Sequence, residues 1–454
     1  MNNNFQNVHL IAIGGAVMSS LAIALKNKGL NITGSDDKIY DPALSNLKVN
    51  NLLPASEGWD ENNIHSGLDA IIVGMHAKFD NPELKKAQEL GLKILSYPEF
   101  IRSQSENKQR IVIAGSHGKT TITGMIIHVL KYFHKPVDYL IGAKIKGLDN
   151  PIHLSDAPVI IIEGDEYFSS PLDQSPKFLK YEHHIALISG TEWDHINVYP
   201  TINSYIEQFE LLADSSPKAG SIVYCEDDRM AVLIGSKERD DVKCIPYKTP
   251  KYTVKNGQFF LKDEYPLQVF GKHNMQNIDG ARKVLDLLGI TKEQFFEAIQ
   301  SYEGADKRNN LIKSNAQTAV YSDFAHAPSK LKATVQGLKE LYPDRRLTAC
   351  FELHTFSSLN KEFLPNYAGK MDEADEAIIY FDKKNLAAKN YPTDLSEEDL
   401  KGFFKNKKLK VFSESSELKS YLESQNWSNH NLLMMSSGNF GAMDLKQLAD
   451  KIIA

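Results

Sequence analysis

The stretch Ile111-Val112-Ile113-Ala114-Gly115-Ser116-His117-Gly118-Lys119-Thr120-Thr121 decides the reading of this chain. An apolar run suited to a buried strand passes into a loop bounded by two glycines and then into the start of a helix. Backbone N–H groups of such a loop, lying at the positive end of a helix, hold phosphate oxygens. In that arrangement Lys119 reaches the β- and γ-phosphates of a nucleotide, and the Thr120 hydroxyl binds Mg²⁺. Gly115, Ser116, His117, Gly118, Lys119, Thr120 and Thr121 are therefore candidate nucleotide-binding residues. The alternative is an ordinary strand-to-helix turn that happens to contain Gly-Lys-Thr; the flanking strand and helix weigh against it. The loop is shorter than the general phosphate-loop consensus, with two residues rather than four between its glycines.

Upstream, Val8 to Ile13 has a strand pattern, Gly14-Gly15 a turn, Met18 to Lys28 helical spacing, and Asn31 to Thr33 a second strand. That order is a βαβ unit and predicts a parallel sheet. Ala70 to Val73, Pro82 to Leu90 and Lys93 to Leu95 continue it, and the polar run from Ser103 to Gln109 reads as a linker. Downstream, Val159 to Ile162 and Ile185 to Ile188 read as buried strands of a second series, which ends in a helical pattern closed by Gly289. A third series follows Arg308, with strands around Thr318 to Tyr321, Leu347 to Phe351, Ala377 to Phe381 and Leu432 to Met435. The expectation is an α/β protein of three domains: residues 1–107, Rossmann-like; 108–310, a central phosphate-loop domain; and 311–454, again Rossmann-like.

Length and composition agree with several cores, since the chain has 454 residues and 42% of them are apolar. A formal charge of −6 gives no basic excess for a nucleic-acid backbone, so nucleic acid is not an expected partner. Cys225, Cys244 and Cys350 are scattered and odd in number, which points to neither a disulfide framework nor a CxxC metal site and fits a reducing cytoplasm. No apolar run approaches the roughly 20 residues of a membrane helix, and no signal peptide is expected.

Three carboxylates, Glu163, Asp165 and Glu166, follow the apolar run 159–162, where α/β proteins place ligands. Mg²⁺ is held by one or two carboxylates plus phosphates, so the loop upstream favours a metal role over a solvated acidic turn. The run Ile188-Ser-Gly-Thr191-Glu192-Trp-Asp194-His195 again follows a strand. A turn at Gly14-Gly15 is in itself equally the mark of chain reversal, but Gly34-Ser35-Asp36-Asp37 lies where a dinucleotide fold puts an acidic residue on a ribose.

Gly-Ser-His-Gly-Lys-Thr-Thr at 115–121 resembles the short ATP loop of the Mur ligase family, the cytoplasmic enzymes that build the peptide stem of peptidoglycan, and the resemblance extends over nearly the whole chain. It implies ATP and Mg²⁺ as cofactors and, in the muramate branch, UDP-N-acetylmuramate as one substrate. Glu163 matches a Mg²⁺-binding glutamate, and His195 a histidine that helps hold a second metal. Lys119, Glu163 and His195 would be catalytic, with Thr120, Glu163 and His195 as metal ligands. Phe270-Gly-Lys-His273-Asn274 resembles a segment whose asparagine meets adenine, although asparagine is also a common helix cap. Arg308 matches an arginine that faces ATP phosphates. Asp323-Phe-Ala-His326-Ala327-Pro328 resembles a signature whose aspartate and histidine lie close to ATP. Gly14, Gly15, Ala16 and Met18 fall in a loop similar to the family's UDP-diphosphate loop, with Ala12 in place of its first glycine, and Asp36 matches the aspartate that recognises uridine. No lysine occurs in 196–216, where other branches carry a carbamylated one, which fits the muramate branch.

Two subgroups share these features: one adds L-alanine, the other attaches the tripeptide L-alanyl-γ-D-glutamyl-meso-diaminopimelate in recycling. Phe351-Glu-Leu-His354-Thr-Phe-Ser-Ser replaces the Pro-His-Arg run of the alanine type, and Met435-Ser-Ser-Gly438-Asn439-Phe440-Gly441 resembles the tripeptide type's ending. The expectation is the tripeptide, with L-alanine as the alternative; for His354, recognition of the amine and a plain structural contact weigh equally. The resemblance implies transfer of phosphate to the muramate carboxylate, then attack of the amine on the acyl phosphate. A nicotinamide-dependent dehydrogenase is disfavoured because Ala12 breaks the GxGxxG spacing. A nucleotide-binding regulator without ligation remains the competing class. Oligomeric state is not legible.

Overall fold

The computed structural model describes residues 5–193, 198–237, 239–306, 308–382 and 395–453. β1 (Asn7–Ile11), β2 (Asn31–Ser35), β3 (Ala70–Val73) and β4 (Ile94–Ser96) form a parallel sheet in the order β2-β1-β3-β4. The helix Ala16–Asn27 follows β1 and buries Leu21, Ala22, Ile23, Ala24 and Leu25.

The second sheet begins with β5 (Gln109–Ala114), β6 (Asp138–Leu140), β7 (Ile152–His153) and β8 (Val159–Glu163). After a short antiparallel pair, β9 (Phe168–Ser170) and β10 (Asp173–Pro176), it continues with β11 (Ile185–Ile188), β12 (Ser221–Cys225) and β13 (Lys243–Tyr247). Its order is β13-β12-β11-β5-β8-β6-β7, and every pairing is parallel except that of β7 on the edge. The β-branched runs of β5 and β8 are buried on both faces, as central parallel strands require.

β14 (Tyr252–Lys255), β15 (Gln258–Leu261) and β16 (Tyr265–Leu267) make a small antiparallel sheet. β17 (Asn310–Ser314), β18 (Ala319–Asp323), β19 (Arg346–Glu352), β20 (Glu376–Tyr380), β21 (Lys410–Phe412) and β22 (His430–Met435) form the last sheet, in the order β17-β18-β22-β19-β20-β21, with only β17 antiparallel. Its core gathers Val320, Ile378, Leu418, Trp427, Leu432 and Leu448. The chain is thus of the α/β class, built on parallel sheets. Two compact units result: Met1–Thr191 with Asn203–Lys248 and Gly280–Phe295, and Glu192–Ile202 with Thr249–Asp279 and Phe296–Ala454. The first two sheets share one unit, whereas β14–β16 fall with the last sheet. Among the described residues no helix is long and apolar enough to cross a membrane.

Residues 103–109, polar enough to read as a loose linker, are tied down in the fold. The Arg110 guanidinium donates to the carbonyls of Glu182 at 2.9 Å and Ser105 at 2.8 Å. Buried Lys108 donates to Asp138 at 2.7 Å and to the carbonyls of Ser155 and Ala157 at 2.6 and 2.9 Å. A buried cation needs such partners, and these two side chains occupy backbone acceptors on both sides of the junction.

Packing is close where the helix Arg229–Gly235 meets β12: a Cβ on Gly235 would lie 2.4 Å from the Tyr224 ring. Gly235→Ala therefore overpacks a rigid aromatic and should lower stability by about 1–3 kcal/mol in chemical unfolding. His183 is buried beside β11, bonded to the Ser216 hydroxyl at 2.8 Å, and its pKa is pushed down to about 4, by burial first and then by His184 and Arg110. The unfolded chain takes up a proton near pH 6.5 that the native chain refuses, so stability should fall as pH drops from about 6.5 towards 4, by up to roughly 3 kcal/mol. Unfolding of His183→Gln across that window should show a shallower acid slope than the parent.

Candidate active site

In the second sheet β5 lies between β8 and β11, and the chain leaves it towards opposite sides, so the carboxyl ends of these three strands border a topological switch point. Ile113 is level with Glu163 and Ala114 with Ile188. Gly115 follows with φ +130°, and a Cβ there would lie 2.2 Å from the Ser189 hydroxyl oxygen. Gly118, at φ +75°, precedes the helix Lys119–Tyr132. Both positions demand glycine, the first for space and the second for its left-handed backbone. Ser189 donates to the carbonyls of Ala114 and His117, and Ser116 N–H to the carbonyl of Gly190, so the end of β11 shapes the loop.

Two pairs of side chains meet at this edge. The Thr120 hydroxyl donates to Glu163 Oε1 at 2.6 Å, and the Gly142 N–H donates to Glu163 Oε2 at 2.6 Å. The Lys119 ammonium donates to the Gly115 carbonyl at 2.6 Å and to Glu166 Oε2 at 2.7 Å, while the Tyr205 hydroxyl holds Glu166 Oε1 at 2.9 Å. Burial alone would lower the Lys119 pKa, but the carboxylates of Glu166, Asp165 and Glu163 outweigh it and raise the value, keeping the ammonium charged. Thr120 and Glu163 present hard oxygen donors side by side, a donor set that suits Mg²⁺ completed by phosphate oxygens. Glu166 and Tyr205 had not been singled out from the sequence. Glu166 lay in the acidic run already noted, whereas nothing local marks Tyr205, which the helix Ile202–Asp214 brings in. His195 lies outside the described residues.

At the first sheet, Ala12 takes φ +67°, a left-handed backbone that favours glycine, and the Gly14 N–H donates to Asp36 Oδ2 at 2.7 Å. Asp36 is 3% exposed, and burial raises its pKa. Gly15 and Ala16 open the helix Ala16–Asn27, but the Met18 side chain turns into the core and is buried.

The remaining candidates lie in the second unit. Asn274 spends its amide on the Phe270 carbonyl at 2.9 Å and accepts from Asn277 at 3.3 Å, next to His273 at the start of the helix Lys272–Leu287. The Arg308 guanidinium stacks 5.0 Å from the Phe324 ring centre. Buried Asp323 accepts from the N–H groups of Asn309 and Ala325, both at 2.7 Å; burial raises its pKa against the pull of Arg308. His326 Nδ1 contacts the Phe324 carbonyl at 2.9 Å. Ala327 directly precedes the helix Pro328–Leu341.

The segments 351–354 and 435–441, noted separately in the sequence, interlock. Glu352 accepts from the Ser436 hydroxyl and, at 2.9 Å, from the Phe440 N–H. A Cβ on Gly438 would lie 2.7 Å from His354 Nδ1 and 2.8 Å from Glu352 Oε2.

Residues 7–109 match the Mur ligase family catalytic domain, and residues 113–284 the Mur ligase middle domain. The chain is 30% identical over 422 residues to the UDP-N-acetylmuramate–L-alanine ligase of Ligilactobacillus salivarius, covering 88% of each chain. In structure it is similar to a UDP-N-acetylmuramate–alanine ligase from Thermotoga maritima, with a TM-score of 0.70, 20% identity and 98% of both chains covered. It is also similar to a murein peptide ligase from Psychrobacter arcticus 273-4, with a TM-score of 0.63, 22% identity and 99% of both chains covered. Those two likenesses concern the fold. The matched domains and the extent of the sequence identity together show that the chain belongs to the Mur ligase family, whose members are ATP-dependent ligases forming the amide bonds of the peptidoglycan peptide.

Proposed function

We propose that the chain joins the carboxylate of UDP-N-acetylmuramate to the amine of L-alanine at the expense of ATP. The observation that carries the ATP half of this reading is the paired arrangement at the ends of β5 and β8: Lys119 paired with buried Glu166, and Thr120 bonded to Glu163. L-Alanine is supported by the L-alanine ligase relatives at about 30% identity. The tripeptide L-alanyl-γ-D-glutamyl-meso-diaminopimelate, the amine expected from the sequence, becomes the second reading. In its favour stands the interlock of Glu352, Ser436, Gly438 and Phe440, which makes one structural piece of the two segments that depart from the alanine pattern.

The inferred reaction moves the γ-phosphoryl group of ATP to the muramate carboxylate, and the amine then displaces phosphate. Lys119 holds its positive charge beside the loop that would cradle the phosphates, and the N–H groups at the head of the helix Lys119–Tyr132 add their partial charge. Thr120 and Glu163 are the described residues that would hold Mg²⁺; when bound, the ion neutralises charge on phosphate oxygens. Asp36 and the turn at Gly14 would orient the uridine diphosphate part. Arg308, Asn274, Asp323 and His326 remain proposed nucleotide contacts, with most of the Asn274 and Asp323 hydrogen-bonding capacity spent inside the fold.

Lys119→Ala removes one oriented charge from phosphoryl transfer and should cut ATP turnover by about 10²-fold or more, while its circular dichroism stays that of the parent; near-parental turnover would remove Lys119 from the site. Phosphate release with Mg²⁺, ATP and UDP-N-acetylmuramate, compared for L-alanine and the tripeptide, should depend on L-alanine. Turnover with the tripeptide alone would establish the second reading, and silence with both would point to a nucleotide-binding regulator.

A further inference from the structure

A buried carboxylate beside the first sheet has no part in the chemistry above, and its partners lead to the candidate uridine site. Glu83, on the helix Pro82–Glu89, is wholly buried, as is His9 of β1. Its Oε1 accepts from the Asp60 N–H at 3.0 Å and from the Asn63 amide at 2.9 Å. Its Oε2 accepts from the Ser35 hydroxyl and faces His9 Nε2 at 3.4 Å. Every one of these partners is able to donate, which is the surrounding an ionised carboxylate needs when it is taken out of water. These bonds hold the Glu83 pKa down against burial, the largest opposing influence.

The two oxygens reach different parts of the fold. Oε2 fixes Ser35, the last residue of β2 and the neighbour of Asp36. Oε1 fixes the segment 58–63, which approaches Asp36 from the other side: the Gly58 N–H donates to the Asp36 carbonyl at 2.8 Å. The Asp36 carboxylate is meanwhile bonded to the Gly14 N–H at 2.7 Å. An aspartate that is to read a ligand must keep one position and one rotamer before the ligand arrives. Here its backbone is gripped from both sides, and both grips trace to one carboxylate.

We infer that Glu83 is a positioning residue for the uridine nucleotide substrate, holding β2 and the 58–63 segment so that Asp36 is preset to receive it. The inference rests on the reading of Asp36 as the uridine contact. Glu83 is wholly buried and its bonds run to Ser35, Asp60 and Asn63, so its effect should fall on one substrate alone.

The test measures KM for UDP-N-acetylmuramate, KM for ATP and kcat in the full chain, together with calorimetric binding of UDP-N-acetylmuramate. Glu83→Ala should raise KM and Kd for the uridine substrate by about tenfold, the loss expected when buried donors lose their acceptor, with KM for ATP and kcat changed less than about twofold. Glu83→Gln keeps an acceptor for Asp60 N–H and should recover most of the affinity. If Glu83→Ala does not fold, Asn63→Ala tests the same arm from the surface and should weaken the uridine substrate alone, by a smaller factor. Unchanged affinity in Glu83→Ala, or a parallel loss in all three parameters, would overturn the inference. Asp36→Ala separates it from the reading beneath it: parental affinity in that variant refutes Asp36 as the contact, whereas weakened binding there with normal binding in Glu83→Ala refutes only the role of Glu83.

Discussion

The main chain at Gly115 runs against the end of β11 with no space for a side chain, its missing Cβ lying only 2.2 Å from Ser189. This close approach is what lets three strand ends meet. With β5 pressed to β11 on one side and paired to β8 on the other, the loop must turn where Glu163 and Glu166 are offered. Lys119 and Thr120, consecutive at the head of a helix, then diverge onto two different carboxylates. A larger residue at 115 would push β5 from β11 and separate those pairs, so the local steric limit underlies the electrostatics of the whole edge.

Two buried acids illustrate how such charges are made tolerable. Glu166 meets an ammonium and a tyrosine hydroxyl; Glu83 meets hydroxyl, amide and backbone donors with no lysine or arginine among the contacts described. The first arrangement leaves a charged ammonium beside the glycine loop. The second is a fixed scaffold, since a carboxylate satisfied from several elements holds them in one register.

The parallel sheets and the passage from strand through a glycine loop into a helix at 111–121 were legible because their signal is local: apolar runs of β5 and β8, glycines at 115 and 118, and a lysine at the helix start. Sheet order was not, because neighbours such as β18 and β22 are far apart in sequence. The antiparallel pieces β14–β16 lack long apolar runs and escaped notice. Partners such as Tyr205 and Glu83 carry no motif; only burial and distance identify them. Met18 was expected both to begin a helical run and, by resemblance, to belong to the UDP-diphosphate loop; it lies in the helix Ala16–Asn27 with its side chain buried. The amine was the least legible feature, since the two segments that depart from the alanine pattern, 351–354 and 435–441, lie far apart in sequence and meet only in the fold.

The tying of residues 103–109 has a consequence for how the chain is cut and handled. By composition this stretch invites a protease and a domain boundary for expression, yet Ser105 is fully buried and Lys108 nearly so, and their backbone acceptors are taken. Cleavage needs a stretch of chain that opens locally, and here that opening would expose two cations and strip Asp138 of its cationic partner. The first and second sheets are thus joined by a weld. A fragment ending at residue 107 would carry away half of that weld and leave Arg110 behind with no carbonyl at Ser105 to bind.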